Sequence, residues 1–123
     1  MGKFVIKQSN SGYTFSLKAS NGATIAVSQT YSELDSCRNG VQSVINNAPV
    51  ANFEDQTVAD FEVQKHPKFE LYKDKSDQFR FRLKARNGEI IVVGEAYTTK
   101  ANCKNGINSI MKNVVDAKIV EEF

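Results

Sequence analysis

Phe15-Ser-Leu-Lys-Ala-Ser-Asn-Gly22 returns 66 positions later as Phe81-Arg-Leu-Lys-Ala-Arg-Asn-Gly88. The same offset carries Tyr31 onto Tyr97 and Cys37-Arg-Asn-Gly40 onto Cys103-Lys-Asn-Gly106. Laying residues 13–49 on 79–115 without a gap gives 14 identities in 37 positions, where unrelated segments of ordinary composition would share about two. The chain is an internal duplication. It divides into repeat 1 (1–57), a linker without a counterpart (58–68) and repeat 2 (69–123). A half of roughly 60 residues buries too little surface to be stable alone, so the two repeats are expected to share one core.

Each repeat has the same pattern. Phe4-Val-Ile-Lys7 reads as a short strand. Tyr13, Phe15, Leu17 and Ala19 then alternate with polar residues in a second, half-buried strand. Asn21-Gly22 signals a tight hairpin turn with positive φ at both central residues, and the return strand places Ala23, Ile25 and Val27 on one face. A helix follows, with Ser32 as its expected cap. Its apolar stripe is Leu34, Cys37, Val41, Val44, Ile45 and Ala48, and Pro49 stops it. Val50–Phe53 is a last short strand. Repeat 2 gives the same β-β-β-α-β order, with Thr98 or Thr99 as cap and a stripe of Cys103, Ile107, Ile110, Met111 and Val114. Phe61 and Val63 in the linker are expected to be buried against Ile90 and Val92, which strict alternation points outward.

These residues resemble the YegP-like family of small bacterial proteins of unknown function. The match rests on Phe15, Leu17, Lys18, Ala19, Asn21, Gly22, Ser28, Tyr31, Ser32, Asn39, Gly40, Val41, Ser43 and Val44, and on their copies from Arg80 and Phe81 to Ile110. Gly94 departs from the pattern, where repeat 1 has Ser28. The resemblance implies an α+β fold: two β-β-β-α-β repeats in one mostly antiparallel sheet, with both helices on one face. It also implies a pseudo-two-fold and exchange of the last strand of each repeat onto the other. It implies no activity.

Composition narrows function by exclusion. Hydrophobic content of 41%, charged content of 24% and a net charge of +2 are ordinary for a globular protein and announce neither membrane nor nucleic acid. The N-terminus reads as neither a signal peptide nor a span, so a cytoplasmic location is expected. Cys37 and Cys103 lie on apolar helical stripes and read as free, inert thiols. With a single histidine, His66, in the linker, no metal, cofactor or catalytic constellation is legible.

Two constellations remain. Asn39, Gly40 and Ser43, with Asn105, Gly106 and Ser109 in repeat 2, form a small uncharged strip beside each apolar stripe. A mid-helix glycine costs about 1 kcal/mol, so its repetition calls for a reason. The strip is either a close helix–helix contact or a groove for a ligand, with packing the favoured reading. The second is Arg80, Arg82, Lys84 and Arg86, which alternation puts on one strand face. It reads either as a track for nucleic acid or another polyanion, or as a solvated face paired with Glu70 and Asp74. The function expected from these residues is a small non-catalytic binding or interaction module, monomeric, with a protein or polyanion partner. The alternative is weak polyanion binding through the repeat 2 stripe.

Overall fold

In a computed structural model, which describes residues 2–123, the elements follow the duplicated order. Repeat 1 supplies β1 (Lys3–Ser9), β2 (Gly12–Lys18), β3 (Thr24–Ser28), α1 (Leu34–Asn47), a 3-10 turn (Ala48–Val50) and β4 (Asn52–Asp55). Repeat 2 supplies β5 (Lys68–Lys73), β6 (Phe79–Lys84), β7 (Ile90–Gly94), α2 (Lys100–Asn113) and β8 (Lys118–Glu122). All eight strands join one sheet in the order β4-β5-β6-β7-β3-β2-β1-β8. The last strand of each repeat is thus exchanged: β4 pairs parallel with β5 and β8 pairs parallel with β1.

The halves meet at β3 and β7, where Ala26 faces Gly94, Val27 faces Val93 and Ser28 faces Val92. Val27 and Val93 are equivalent in the duplication, so the pseudo-two-fold passes through that pair. One core runs under both helices. It includes Phe4, Phe15, Leu17, Phe69, Phe81 and Leu83 from the strands, with Cys37, Val41, Val44, Cys103 and Ile110 from the helices. Each Phe pair packs edge-on, Phe4 on Phe15 at 5.9 Å and Phe69 on Phe81 at 6.2 Å. Among the described residues no helix is long and apolar enough to cross a membrane.

Local chemistry differs from the sequence reading in four places. Gly22 and Gly88 have φ of +87° and +83°, but neither Asn21 nor Asn87 is left-handed. Gly22 N–H donates to Ala19 O, while Ala19 N–H donates to Ala23 O. This is a three-residue loop, a turn closed by a left-handed glycine, rather than the two-residue hairpin expected. Second, the strand pairing shifts between Leu17 and Lys18, and again between Leu83 and Lys84. Each shift inserts one extra residue, Ile25 or Ile91, and both are buried. The bulge resets the alternation, so Val92 is buried in the core while Val27 is 41% exposed, the reverse of the expected faces. Third, Thr99 Oγ1 accepts from Asn102 N–H as the α2 cap, but Ser32 does not cap α1; Glu33 holds that position without a side-chain bond. Fourth, the linker is not held by its apolar residues. Phe61 is exposed and Val63 is 72% exposed. Polar bonds tie it down instead: Asn52 Nδ2 donates to Lys65 O, and Gln64 N–H to Glu54 Oε1.

The repeated tyrosines explain the repeated helix glycines. Tyr31 exchanges two backbone hydrogen bonds with Tyr13, as Tyr97 does with Phe79. This pinning stacks the Tyr31 ring on Phe15 at 6.3 Å and the Tyr97 ring on Phe81 at 6.4 Å. A Cβ at Gly40 would lie 2.5 Å from Tyr31 Oη and 3.0 Å from Phe15 Cε2, and one at Gly106 would meet Tyr97 and Phe81. The group that excludes a side chain at Gly40 is therefore a tyrosine of the same repeat, not the other helix as expected. Gly40→Ala should destabilise in urea unfolding, because an overpacking cost of about 1–3 kcal/mol opposes a helix gain of about 1 kcal/mol. Adding Tyr31→Phe, which removes the nearest atom, should recover part of the loss. Stabilisation by Gly40→Ala alone would contradict this packing.

Candidate functional site

Arg80, Arg82 and Lys84 lie on the face of β6 away from the helices, as alternation requires, but Arg86 lies beyond the end of β6 in the hairpin turn and is not, as expected, part of the strand face. Their neighbours come from pairing that the local sequence does not reveal. β5 runs antiparallel to β6 with Glu70 opposite Arg82 and Lys68 opposite Lys84. The exchanged strand β4 sets Glu54 beside Glu70. Arg82 Nε donates to Glu70 Oε1 at 2.5 Å, and Lys84 Nζ lies 3.3 Å from Glu70 Oε2. Arg80 Nε donates to Asp74 Oδ2 at 2.9 Å. The Arg82 guanidinium also stands 4.4 Å over the Tyr72 ring, a cation–π contact that further fixes it. Of the four, Arg86 alone has no carboxylate within ion-pair distance among the described residues. Three of the four side chains are thus held by carboxylates, with Arg82 and Lys84 sharing Glu70, and the stripe is not a free cationic track.

The centre of this network is buried. Lys68 Nζ bridges Glu54 Oε1 at 2.7 Å and Glu70 Oε2 at 3.1 Å, and all three side chains are almost wholly inaccessible. The linker folds over them, with Gln64 N–H donating to Glu54 Oε1 and Gln56 Nε2 to Glu54 Oε2. Burial by itself would raise the Glu54 pKa. The hydrogen bonds from Lys68, Gln56 and Gln64 outweigh it and hold the carboxyl at about 2. Glu70 is shifted down in the same way: burial opposes, and bonds from Arg82 and Lys68 prevail. Sequence reasoning paired the stripe with Glu70 and Asp74 and missed Glu54 and Lys68, whose places depend on the strand exchange. Register makes Val120 and Val5 the repeat 1 counterparts of Glu54 and Glu70, so an apolar pair in one half is an ion network in the other.

The helix strips diverge between the halves. Asn39, Gly40 and Ser43 line a cleft of about 200 Å³, walled opposite by Asn87, Glu89 and Ile90 of the other repeat's hairpin. Asn105 and Ser109 instead border an open depression with Met111, Lys112 and Val115, while Gly106 is closed by Tyr97. Drug-sized ligands need about 300–1,000 Å³, so the cleft at Asn39, Gly40 and Ser43 is small for one. Both thiols are buried. Burial, and to a lesser degree the nearby Asp55 carboxylate, push the Cys103 pKa up to about 11, and burial raises that of Cys37. Neither is a ready nucleophile. Among the described residues no cluster of three or more His, Cys, Asp and Glu side chains is placed to hold a metal.

The side of the sheet without helices has an apolar centre. Val27, Val93 and Ile90 lie there, with Ile90 42% exposed, and a depression of about 370 Å³ opens at the β3–β7 seam. The model of the domain of unknown function DUF1508 matches the chain twice, over residues 8–55 and 74–121. The chain belongs to the DUF1508 family. The UPF0339 protein YegP of Yersinia pestis is 38% identical over 114 residues, covering 92% of this chain and 88% of that protein. A UPF0339 protein of Treponema denticola is 67% identical over 54 residues, 44% of this chain but 93% of the relative. Among solved structures, YegP of E. coli superposes with a TM-score of 0.79 at 29% identity, covering 98% of this chain and 92% of that one. A UPF0339 protein of Shewanella oneidensis gives the same score and identity, over 98% and 90%. YegP from E. coli is itself described as a protein of unknown function.

In this DUF1508 chain the buried network has a direct test. Glu70→Val alone leaves Lys68 short of a partner and should cost about 3–5 kcal/mol in denaturant unfolding. Glu54→Val, Lys68→Met and Glu70→Val together should be near neutral, since replacing a whole buried ion network by apolar groups of similar size is often neutral and valines already fill the places of Glu54 and Glu70 in repeat 1. Acid titration supplies the sign. Glu54 is held at about 2 against its ordinary 4.5, so its stabilisation is complete above that ordinary value and falls away as pH drops toward about 2. The triple variant should lack this acid-sensitive step; a triple variant as unstable as Glu70→Val would contradict the account.

Proposed function

We propose that the chain is a non-catalytic binding module whose contact surface is the face of the sheet without helices. One observation carries this reading: an eight-stranded sheet is covered by helices on one side only, and its other side centres on exposed Val27 and Ile90 beside a depression. Monomers seldom leave a grouped apolar patch on a broad flat face without a partner. The buried thiols, with Cys103 raised to about 11, and the pairing of Arg80, Arg82 and Lys84 leave little chemistry but recognition. The helix-side cleft at Asn39, Gly40 and Ser43 is smaller and narrowed by Tyr31.

The test is site-specific photo-crosslinking in the source cell. A photoreactive residue at Val27 should capture a discrete partner, and one at Asn46, exposed on α1, should not. Equal capture at both positions, or none at Val27, would remove the bare face as the binding surface.

A further inference from the structure

The strand exchange does to repeat 1 the opposite of what it does to repeat 2. Register places Lys118 of β8 beside Lys3 of β1, and Lys3 opposite Lys18 of β2. Phe4 and Leu17 are buried in the core and Ile119 lines a cleft with Arg38 and Val41 of α1, so the adjacent lysines all point to the bare face. Strand spacing is about 4.8 Å, which sets the three side chains in one row about 10 Å long. None of the three has a carboxylate within ion-pair distance among the described residues; all eight ion pairs there use other cations. Lys7 stands on the same face, and the one acidic side chain of these strands that shares it is Glu122, opposite Lys7. Four lysines against one carboxylate leave a surplus of three positive charges.

Like charges directly opposite on neighbouring strands destabilise a sheet. The equivalent row in repeat 2 removes that cost: Lys68 and Lys84 are both tied to Glu70, and Asn52 takes the place of Lys118. The repeat 1 row keeps the repulsion. An uncompensated cation row is what an anionic ligand would neutralise.

We propose that Lys118, Lys3 and Lys18 form a binding row for the phosphate backbone of nucleic acid, held without reading the bases. This rests on the bare sheet face being the contact surface and names its ligand class. Backbone rather than base contact follows from the side chains: the strand positions flanking the row on this face are Val5, Ser16 and Val120, with no aromatic ring for bases to stack on. The polyanion surface is thereby moved from the repeat 2 stripe, where Arg80, Arg82 and Lys84 are already paired, to the lysines of repeat 1.

Titration of the full chain with a labelled duplex of about 20 base pairs, from about 20 to about 200 mM salt, tests it. Three phosphate contacts predict a log–log slope of about −2.7. Each single Lys→Gln change in the row should reduce the slope by about 0.9, and Lys3→Gln/Lys18→Gln/Lys118→Gln should abolish binding. A charge-matched control, Lys65→Gln/Lys75→Gln/Lys112→Gln, should bind as wild type. Folding is read separately: relief of repulsion should raise the row variant's thermal midpoint at low salt, and duplex should raise the wild-type midpoint but not the variant's. No binding at low salt, equal loss in the control, or a lowered midpoint for the row variant would overturn the proposal. If the duplex fails to bind while Val27 still captures a protein, the bare-face reading stands and this ligand class falls.

Discussion

The parallel pairing of each repeat's last strand with the other repeat's first strand is the constraint on which the rest depends. β4 on β5 and β8 on β1 extend the sheet to its full width and tie each half into the other. Without them, each meander and helix would be a unit of roughly 60 residues, near the lower limit for a stable core. The exchange also sets the chemistry of the bare face. It brings Glu54 beside Glu70 in one half and Lys118 beside Lys3 in the other. One topological device, applied twice, yields a buried ion network on one side and an unpaired cation row on the other.

The network in repeat 2 is not needed for the fold, since Val5 and Val120 fill the equivalent places in repeat 1. Buried ion pairs often stabilise no more than apolar groups of the same size. The pairing of Lys68 with both Glu54 and Glu70, under a linker bonded to Glu54, fixes the register of β4 on β5 and holds the linker across the face. That is a gain in specificity rather than in stability. It also makes the two halves unequal: cores of similar residues support a buried ion network on the outer face of one half and an unpaired lysine row on that of the other.

The fold was legible because duplication, hairpin glycines and helical stripes are local signals. Asn21-Gly22 marked a turn correctly, but its type depended on how many residues the flanking strands leave unpaired. The inward side of β3 and β7 was misjudged because a single inserted residue, Ile25 or Ile91, shifts every later side chain to the other face. The outer face was the least legible part. Arg80, Arg82 and Lys84 stand close together in sequence and look like a track, while their neutralising partners include a residue from another strand of the sheet. Lys3, Lys18 and Lys118 look like scattered charges, because the pairing that aligns them joins opposite ends of the chain. The glycines of the helices were recognised as demanding close approach, but the approaching group was Tyr31 or Tyr97, a neighbour nine residues before each glycine.

If strand exchange makes the two repeats one cooperative unit, native-state hydrogen exchange will report it most directly. The slowest amides of β1 and β2 should exchange with the same free energy as those of β5 and β6, equal to that of global unfolding. A repeat 1 sheet that opens at a distinctly lower free energy than the repeat 2 sheet would contradict the account, since the halves would then be separate domains sharing only an edge.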